Sequence, residues 1–127
     1  MLATVTHFGC LNILINNVSV IEAHSTALTV DLDEWTQGLE INITSMMLMA
    51  KFAIVEMVKN KPHKGTMRGN IVNMGSVVGL QGGTASLLYP TSKGAMINMT
   101  RAMAAHHAVD GVQVNCVCPS KMEMDQN

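Results

Sequence analysis

One tyrosine, one lysine and one serine are the residues of this sequence best placed to do chemistry. Tyr89 and Lys93 stand four residues apart at the start of a predicted helix, so their side chains share one face. A neighbouring ammonium favours the phenolate form of a tyrosine, which suits Tyr89 to donate and accept protons near neutral pH. Ser76 ends the preceding predicted strand, where we expect its hydroxyl to face Tyr89 across a cleft. The spacing predicts an acid–base site.

Three strands and two long helices are predicted to position these residues. Short apolar runs at 11–18, 70–74 and 112–118 are typical of buried strands. Apolar residues at three- and four-residue steps predict helices over 33–61 and 87–109, with Asp31 or Asp33 as the N-cap of the first. Helices between consecutive strands imply a parallel sheet, and ligands collect at the carboxyl ends of its strands. We therefore expect a single α/β domain over residues 1–127, with a short parallel sheet and two long helices. The predicted core takes residues from every strand: Ile13, Ile15, Ile71, Val72, Val114 and Cys116.

Several motifs, ordered along nearly the whole chain, resemble the short-chain dehydrogenase/reductase family. Residues 16–19, Asn-Asn-Val-Ser, resemble the Asn-Asn-Ala-Gly that ends the family's fourth strand, and residues 71–76 resemble the strand that ends in its catalytic serine. Asn42 resembles the asparagine of the family's catalytic tetrad, and Tyr89 and Lys93 resemble its remaining pair. Residues 115–119 resemble the last strand before a Pro-Gly turn. The resemblance implies a partial Rossmann-like three-layer unit.

The resemblance also implies a role for each matched residue. Tyr89 would be the general acid–base, Lys93 would favour its phenolate and hold the nicotinamide ribose, and Ser76 would orient the substrate's carbonyl or hydroxyl. Asn42 would hold a water in a proton relay. The implied cofactor is NAD or NADP, contacted by Asn16, Asn17, Tyr89, Lys93 and Pro119. A small-molecule substrate would exchange hydride with it at a carbonyl or alcohol carbon. Family members pair through the two long helices, so we expect a homodimer or homotetramer, in the cytoplasm.

Departures from the family pattern leave other functions open. Nothing resembles the glycine-rich turn, Gly-x-x-x-Gly-x-Gly, which holds the cofactor's pyrophosphate in the family, so the chain is expected to begin inside the helix before the fourth strand. Ser120 replaces the glycine after Pro119, and Met124 stands where the family has a threonine that contacts the nicotinamide amide. The chain ends where the substrate loop would begin. One alternative is a cofactor-independent acid–base enzyme (an isomerase, dehydratase or cyclase) that reuses the tetrad without a dinucleotide. The other is a non-catalytic interaction module, which the retained tetrad disfavours.

The amino-acid composition limits the kinds of partner and site that the chain is expected to have. The formal net charge is −1 with 13% charged residues, so no electrostatic footprint for nucleic acid or an anionic membrane is present. The densest apolar stretch, 46–50, ends at Lys51, well short of the roughly 20 residues of a membrane span. Three cysteines and five histidines show no zinc-ligand spacing, so we predict no metal site. Seven of the twelve methionines fall in the two predicted helices, either as deformable core filler or as an adaptable interface or pocket lining.

Overall fold

Helices and strands alternate along the chain, in a computed structural model that describes residues 1–120. Met124, expected from the resemblance to lie near the nicotinamide, is outside these residues. The elements in chain order are α1 (Leu2–Phe8), β1 (Ile13–Asn16), α2 (Leu32–Leu39), a π-helical turn (Glu40–Thr44), α3 (Ser45–Met57), β2 (Gly69–Met74), α4 (Val78–Gln81), α5 (Leu88–His107) and β3 (Val112–Val117). The predicted α/β class is confirmed.

The three strands form one parallel sheet in the order β1-β2-β3. Leu14 of β1 lies opposite Ile71 of β2, which in turn lies opposite Val114 of β3. Because side chains alternate between the faces of a strand, these three apolar residues share one face. The carboxyl ends of all three strands therefore meet at one edge, as the sequence predicts.

Residues of α3 pack against that face to form the core. The core cluster contains Leu11, Leu14, Ala50, Ala53, Met57, Ile71, Val112 and Val114. The predicted burial is right for Ile71 and Val114, and Val72 and Cys116 are partly buried. It is wrong for Ile13 and Ile15, which are 61% and 62% exposed. Both point to the opposite face of β1, which the described helices leave open, so residues 1–120 supply two of the three expected layers.

The first long helical segment is interrupted where the sequence predicts one continuous helix. Asp31 is its N-cap, because the Asp31 carboxylate accepts hydrogen bonds from the amides of Asp33 and Glu34, each at 2.9 Å. α2 then passes into the π-helical turn around Asn42, and α3 ends at Met57, four residues before the predicted end. A π-turn inserts one extra residue into a helix, a change that no apolar spacing reveals.

Taken as one stretch, Leu32–Met57 is long and apolar enough to cross a membrane by length and composition alone. Its Ala50, Ala53 and Met57 lie in the core cluster against the sheet, and Lys51 and Glu56 interrupt its outer face. We therefore treat it as a helix of the α/β core. Short α4 lies outside both predicted helices, directly before the segment that leads to Tyr89.

Candidate active site

A cleft opens at the carboxyl ends of the strands, with a volume of about 530 Å³. Ser76, just after β2, and Tyr89, in the first turn of α5, both line it. Pro119, just after β3, forms another part of the wall. The structure thus brings together three of the residues that the sequence nominates. The hydroxyl groups of Ser76 and Tyr89 are of the kinds that orient a carbonyl and transfer a proton to it.

Lys93 lies one turn after Tyr89, inside the protein. It is 2% exposed, and its Nζ donates a 2.7 Å hydrogen bond to the backbone carbonyl of Met74, the last residue of β2. The same nitrogen is 5.5 Å from the centre of the Tyr89 ring. Burial lowers the pKa of Lys93, and electrostatic interaction with Cys116 and Cys118 opposes this shift. The ammonium and the phenol ring are therefore neighbours, as their spacing predicts.

Asn42 lies in the π-helical turn and is fully buried. Its Oδ1 accepts a hydrogen bond from the Val20 amide at 2.7 Å, and its Nδ2 donates to the Val20 carbonyl at 2.9 Å and to Ser92 Oγ at 3.0 Å. Both amide hydrogens are thus used within the protein. The side chain ties the loop after β1 to helix α5. The relay water that the resemblance implies stays a prediction.

A series of side-chain hydrogen bonds begins at Asn16 and connects two strands to a helix. The Asn16 side chain donates to Asn73 Oδ1 at 2.8 Å, and Asn73 donates to Thr100 Oγ1 at 2.9 Å. These bonds connect β1, β2 and α5 beneath the cleft, so the side chain of Asn16 has a structural use. Asn17, the next residue, is exposed. Cofactor contacts by these two asparagines stay a prediction.

Sequence reasoning missed Glu22, which lies in the loop after β1 and lines the cleft. Its Oε1 accepts three hydrogen bonds: from Ser25 Oγ at 3.1 Å, Ser86 Oγ at 2.7 Å and the Leu88 amide at 2.6 Å. Burial alone would raise the pKa of Glu22, but these bonds outweigh it and lower the pKa below its ordinary value. No local signal points to a role at the cleft for Glu22, because two of its three partners, Ser86 and Leu88, lie more than sixty residues away. Asn73 was detectable, since it is a polar residue at an inward position of an apolar strand.

Two thiols lie beside the buried lysine. Cys116 and Cys118 have their sulfur atoms 3.8 Å apart, and a Cβ added to Gly75 would meet both at less than 3.0 Å. Burial raises the pKa of Cys116, and the neighbouring Cys118 thiol adds to the effect. Among residues 1–120, no group of three histidine, cysteine or carboxylate side chains is arranged to hold a metal ion.

Comparison with known proteins decides the family. The family model described as short chain dehydrogenase matches residues 1–127. The chain belongs to the short-chain dehydrogenase family. Meso-2,3-butanediol dehydrogenase of Serratia marcescens is 39% identical over 112 residues, which are 88% of this chain and 41% of that protein. 2-(S)-hydroxypropyl-CoM dehydrogenase 3 of Xanthobacter autotrophicus is 40% identical over 111 residues, again 41% of its length.

Solved structures agree with this assignment. ElxO with NADP bound is 28% identical and superposes with a TM-score of 0.84 over 97% of this chain and 47% of that one. A short-chain dehydrogenase/reductase from Burkholderia xenovorans is 31% identical, with a TM-score of 0.85 over 97% of this chain and 46% of that one. The chain therefore spans less than half the length of these relatives and has the fold of that part.

Proposed function

We propose that this short-chain dehydrogenase is an NAD(P)-dependent oxidoreductase that acts on a carbonyl or alcohol carbon of a small molecule. The observation that carries the proposal is the arrangement at the strand ends. Ser76 and Tyr89 line one cleft, and the buried Lys93 ammonium lies 5.5 Å from the Tyr89 ring. A phenol and a hydroxyl at one cleft, with a cation beside the phenol, are the groups that polarise a carbonyl and move a proton.

The residues present fit the nicotinamide half of a dinucleotide. A lysine ammonium has three donors, and the Met74 carbonyl takes one from Lys93. A buried cation with donors to spare beside a phenol suits the paired hydroxyls of a ribose. Tyr89 and Lys93 would hold that ribose, with Pro119 in the adjoining wall. The glycine-rich turn that cradles the pyrophosphate in this family has no counterpart among the 127 residues.

The mechanism then assigns one task to each side chain. The nicotinamide, when bound, supplies or accepts the hydride. In the reducing direction Tyr89 donates its phenolic proton to the carbonyl oxygen, and in the oxidising direction the phenolate takes a proton from the alcohol. Lys93 stabilises the phenolate through its positive charge, which burial leaves poorly screened. Ser76 donates a hydrogen bond to the same substrate oxygen and fixes its direction.

The alternatives from the sequence are a cofactor-independent acid–base enzyme and a non-catalytic interaction module. No described contact favours either. The Serratia and Xanthobacter relatives support the redox proposal instead, since both are named as dehydrogenases of secondary alcohols. We propose a substrate of the same chemical class, a ketone or secondary alcohol, acted on in the cytoplasm.

Steady-state assays with millimolar NADH or NADPH and a panel of small ketones and diketones test the proposal. We expect nicotinamide oxidation that disappears in Tyr89→Phe. The matched control is Thr91→Val, which also removes a hydroxyl from the first turns of α5 but at an exposed position. Turnover that survives in Tyr89→Phe would contradict the assigned role. Tyr89-dependent conversion of a substrate without any nicotinamide would favour the cofactor-independent enzyme.

We also propose that copies of the chain form a homodimer or homotetramer through α3 and α5. The outer face of α3 exposes Met47, Leu48, Met49, Phe52 and Val55. A groove lined by residues of both helices, among them Ile54 and Met103, continues this apolar surface. Contiguous apolar surfaces are seldom left in water. Of the methionines in these helices, Met46, Met57 and Met96 are core filler, and Met47 and Met49 face outward. The outward pair supports an interface at this surface.

A further inference from the structure

The side chain at the N-cap position of helix α5 does not cap the helix. Its N-cap position is Leu87, whose side chain makes no capping hydrogen bond. The first amides of a helix have no partner within the helix, and leaving them unpaired costs stability and order. Tyr89 lies two residues after this uncapped position. The precision with which its phenol is held therefore depends on what pairs these amides.

Glu22 supplies the missing cap from a different part of the chain. Its Oε1 accepts from the Leu88 amide at 2.6 Å and from Ser86 Oγ at 2.7 Å. Ser86 Oγ in turn accepts from the Tyr89 amide at 3.2 Å. One carboxylate oxygen thus satisfies one amide of α5 directly and orders the hydroxyl that satisfies the next. A negative charge at a helix N-terminus is further stabilised by the helix dipole.

The loop that carries Glu22 is itself fixed. Asn42 holds both the amide and the carbonyl of Val20. Ser25, on the other side of Glu22, donates its amide to the Ala85 carbonyl at 3.0 Å. The Glu22 carboxylate therefore contacts α5 from an anchored loop. Its Oε1 accepts all three charge-assisted bonds, and its Oε2 is buried without a hydrogen-bond partner.

We propose that Glu22 is a positioning residue, which caps α5 from the loop after β1 and so holds Tyr89 in the cleft that Ser76 lines. This inference rests on the proposed function for the role of Tyr89. The capping itself is independent of catalysis. Glu22 acts through Ser86 and the backbone and is not assigned to touch the substrate.

The test compares Glu22→Ala with Asp31→Ala in the full 127-residue chain. Asp31 is a matched control, because its carboxylate also accepts from two helix amides, but on α2. Amide hydrogen exchange is the first readout. In Glu22→Ala we expect the Leu88 and Tyr89 amides to exchange roughly ten- to hundredfold faster, the range of a lost charge-assisted hydrogen bond. In Asp31→Ala these two amides should keep their protection.

Tyrosine labelling gives a second readout that needs no activity. Because Tyr89 is the only tyrosine, fluorotyrosine incorporation places one fluorine signal in the protein, on this ring. We expect the signal to shift or broaden in Glu22→Ala and to stay unchanged in Asp31→Ala. Glu22→Gln keeps an acceptor oxygen and should restore the wild-type signal and most of the amide protection. Ser86→Ala removes the hydroxyl that joins Glu22 to the Tyr89 amide and leaves the bond from the Leu88 amide to Glu22 in place. This variant provides the test if Glu22→Ala does not fold.

Kinetics separates this proposal from the proposed function. If the chain turns over a ketone, Glu22→Ala should lower kcat about tenfold or more while the KM for the nicotinamide changes by no more than about twofold. If it turns over nothing, the proposed function fails and the exchange and fluorine data still decide the role of Glu22. Equal protection of the Leu88 and Tyr89 amides in the wild type, Glu22→Ala and Ser86→Ala would overturn it. So would a kcat for Glu22→Ala equal to that of Asp31→Ala.

Discussion

Replacing Lys93 by methionine removes a buried charge while keeping most of the side-chain volume. Burial lowers the pKa of Lys93 below its ordinary value of 10.5, so in the window between the folded pKa and 10.5 the unfolded chain binds a proton that the folded chain does not. Stability contributed by this group therefore rises as pH rises through that window and is lost as pH falls through the folded pKa. Lys93→Met should abolish this dependence.

The magnitude follows from the contacts. One titrating group changes the free energy of unfolding by at most about 1.4 kcal/mol per pH unit. At neutral pH two effects oppose each other in the variant. The 2.7 Å bond to the Met74 carbonyl is lost, about 1.5–3 kcal/mol for a charged donor, while the desolvation penalty of the ammonium, several kcal/mol, is relieved. We therefore expect a folded variant whose stability near neutral pH differs little from that of the wild type.

Urea unfolding at a series of pH values up to 10, followed by the fluorescence of the single tryptophan, Trp35, measures the effect. The titration of Cys116 is common to both proteins and cancels to first order in their difference. Lys61→Met is the control, because it makes the same substitution at an exposed position. Stability curves for the wild type and Lys93→Met that run parallel over this range would refute the reasoning.

Three other predictions follow from the site and the surface. Tyr89→Phe should lower turnover by about 10²–10⁴-fold with an unchanged circular dichroism spectrum, because it removes only a hydroxyl at a half-buried position. The 127-residue chain alone should bind NAD(H) or NADP(H) more than a thousandfold more weakly than a complete family site. The glycine-rich turn has no counterpart here, and the loss of three charge-assisted bonds to the pyrophosphate would remove about 4.5–9 kcal/mol of binding free energy. Low-micromolar binding by calorimetry would contradict this. Cys10, which is exposed, should react with a thiol reagent well before Cys116, whose pKa is raised by burial, as peptide mass spectrometry would show. Equal labelling rates at the two cysteines would argue against the burial of Cys116.

The number of strands and their parallel arrangement were predictable because both depend on local pattern. Apolar runs between long periodic segments leave little choice but a parallel sheet, and the predicted helices overlap α2, α3 and α5 closely. The error at Ile13 and Ile15 has a different origin. A short apolar strand carries similar residues on both faces, so alternation alone does not say which face meets the helices. Leu11 and Leu14 occupy that face instead.

The candidate site residues could be named from the sequence, but the hydrogen bonds that hold them could not. Tyr89 and Lys93 are four apart on one helix, and their proximity needs nothing beyond that helix. Asn42 was singled out from the motif alone, and its three hydrogen bonds go to Val20 and Ser92, which lie 22 and 50 residues away. Only the folded chain shows such pairings.

Three buried asparagines connect the elements that surround helix α5. Asn42 joins the loop after β1 to α5, and Asn16 with Asn73 joins β1 and β2 to the same helix. Each bond is buried or partly buried, where an unpaired amide would cost about 1–3 kcal/mol, so each fixes one arrangement of the elements strongly. Every one of these links converges on α5, the helix that carries Tyr89 and Lys93. The positions of Tyr89 and Lys93 are thus determined by buried polar contacts from the loop after β1 and from two strands. The proposed acid–base chemistry depends on these contacts as well as on the two side chains themselves.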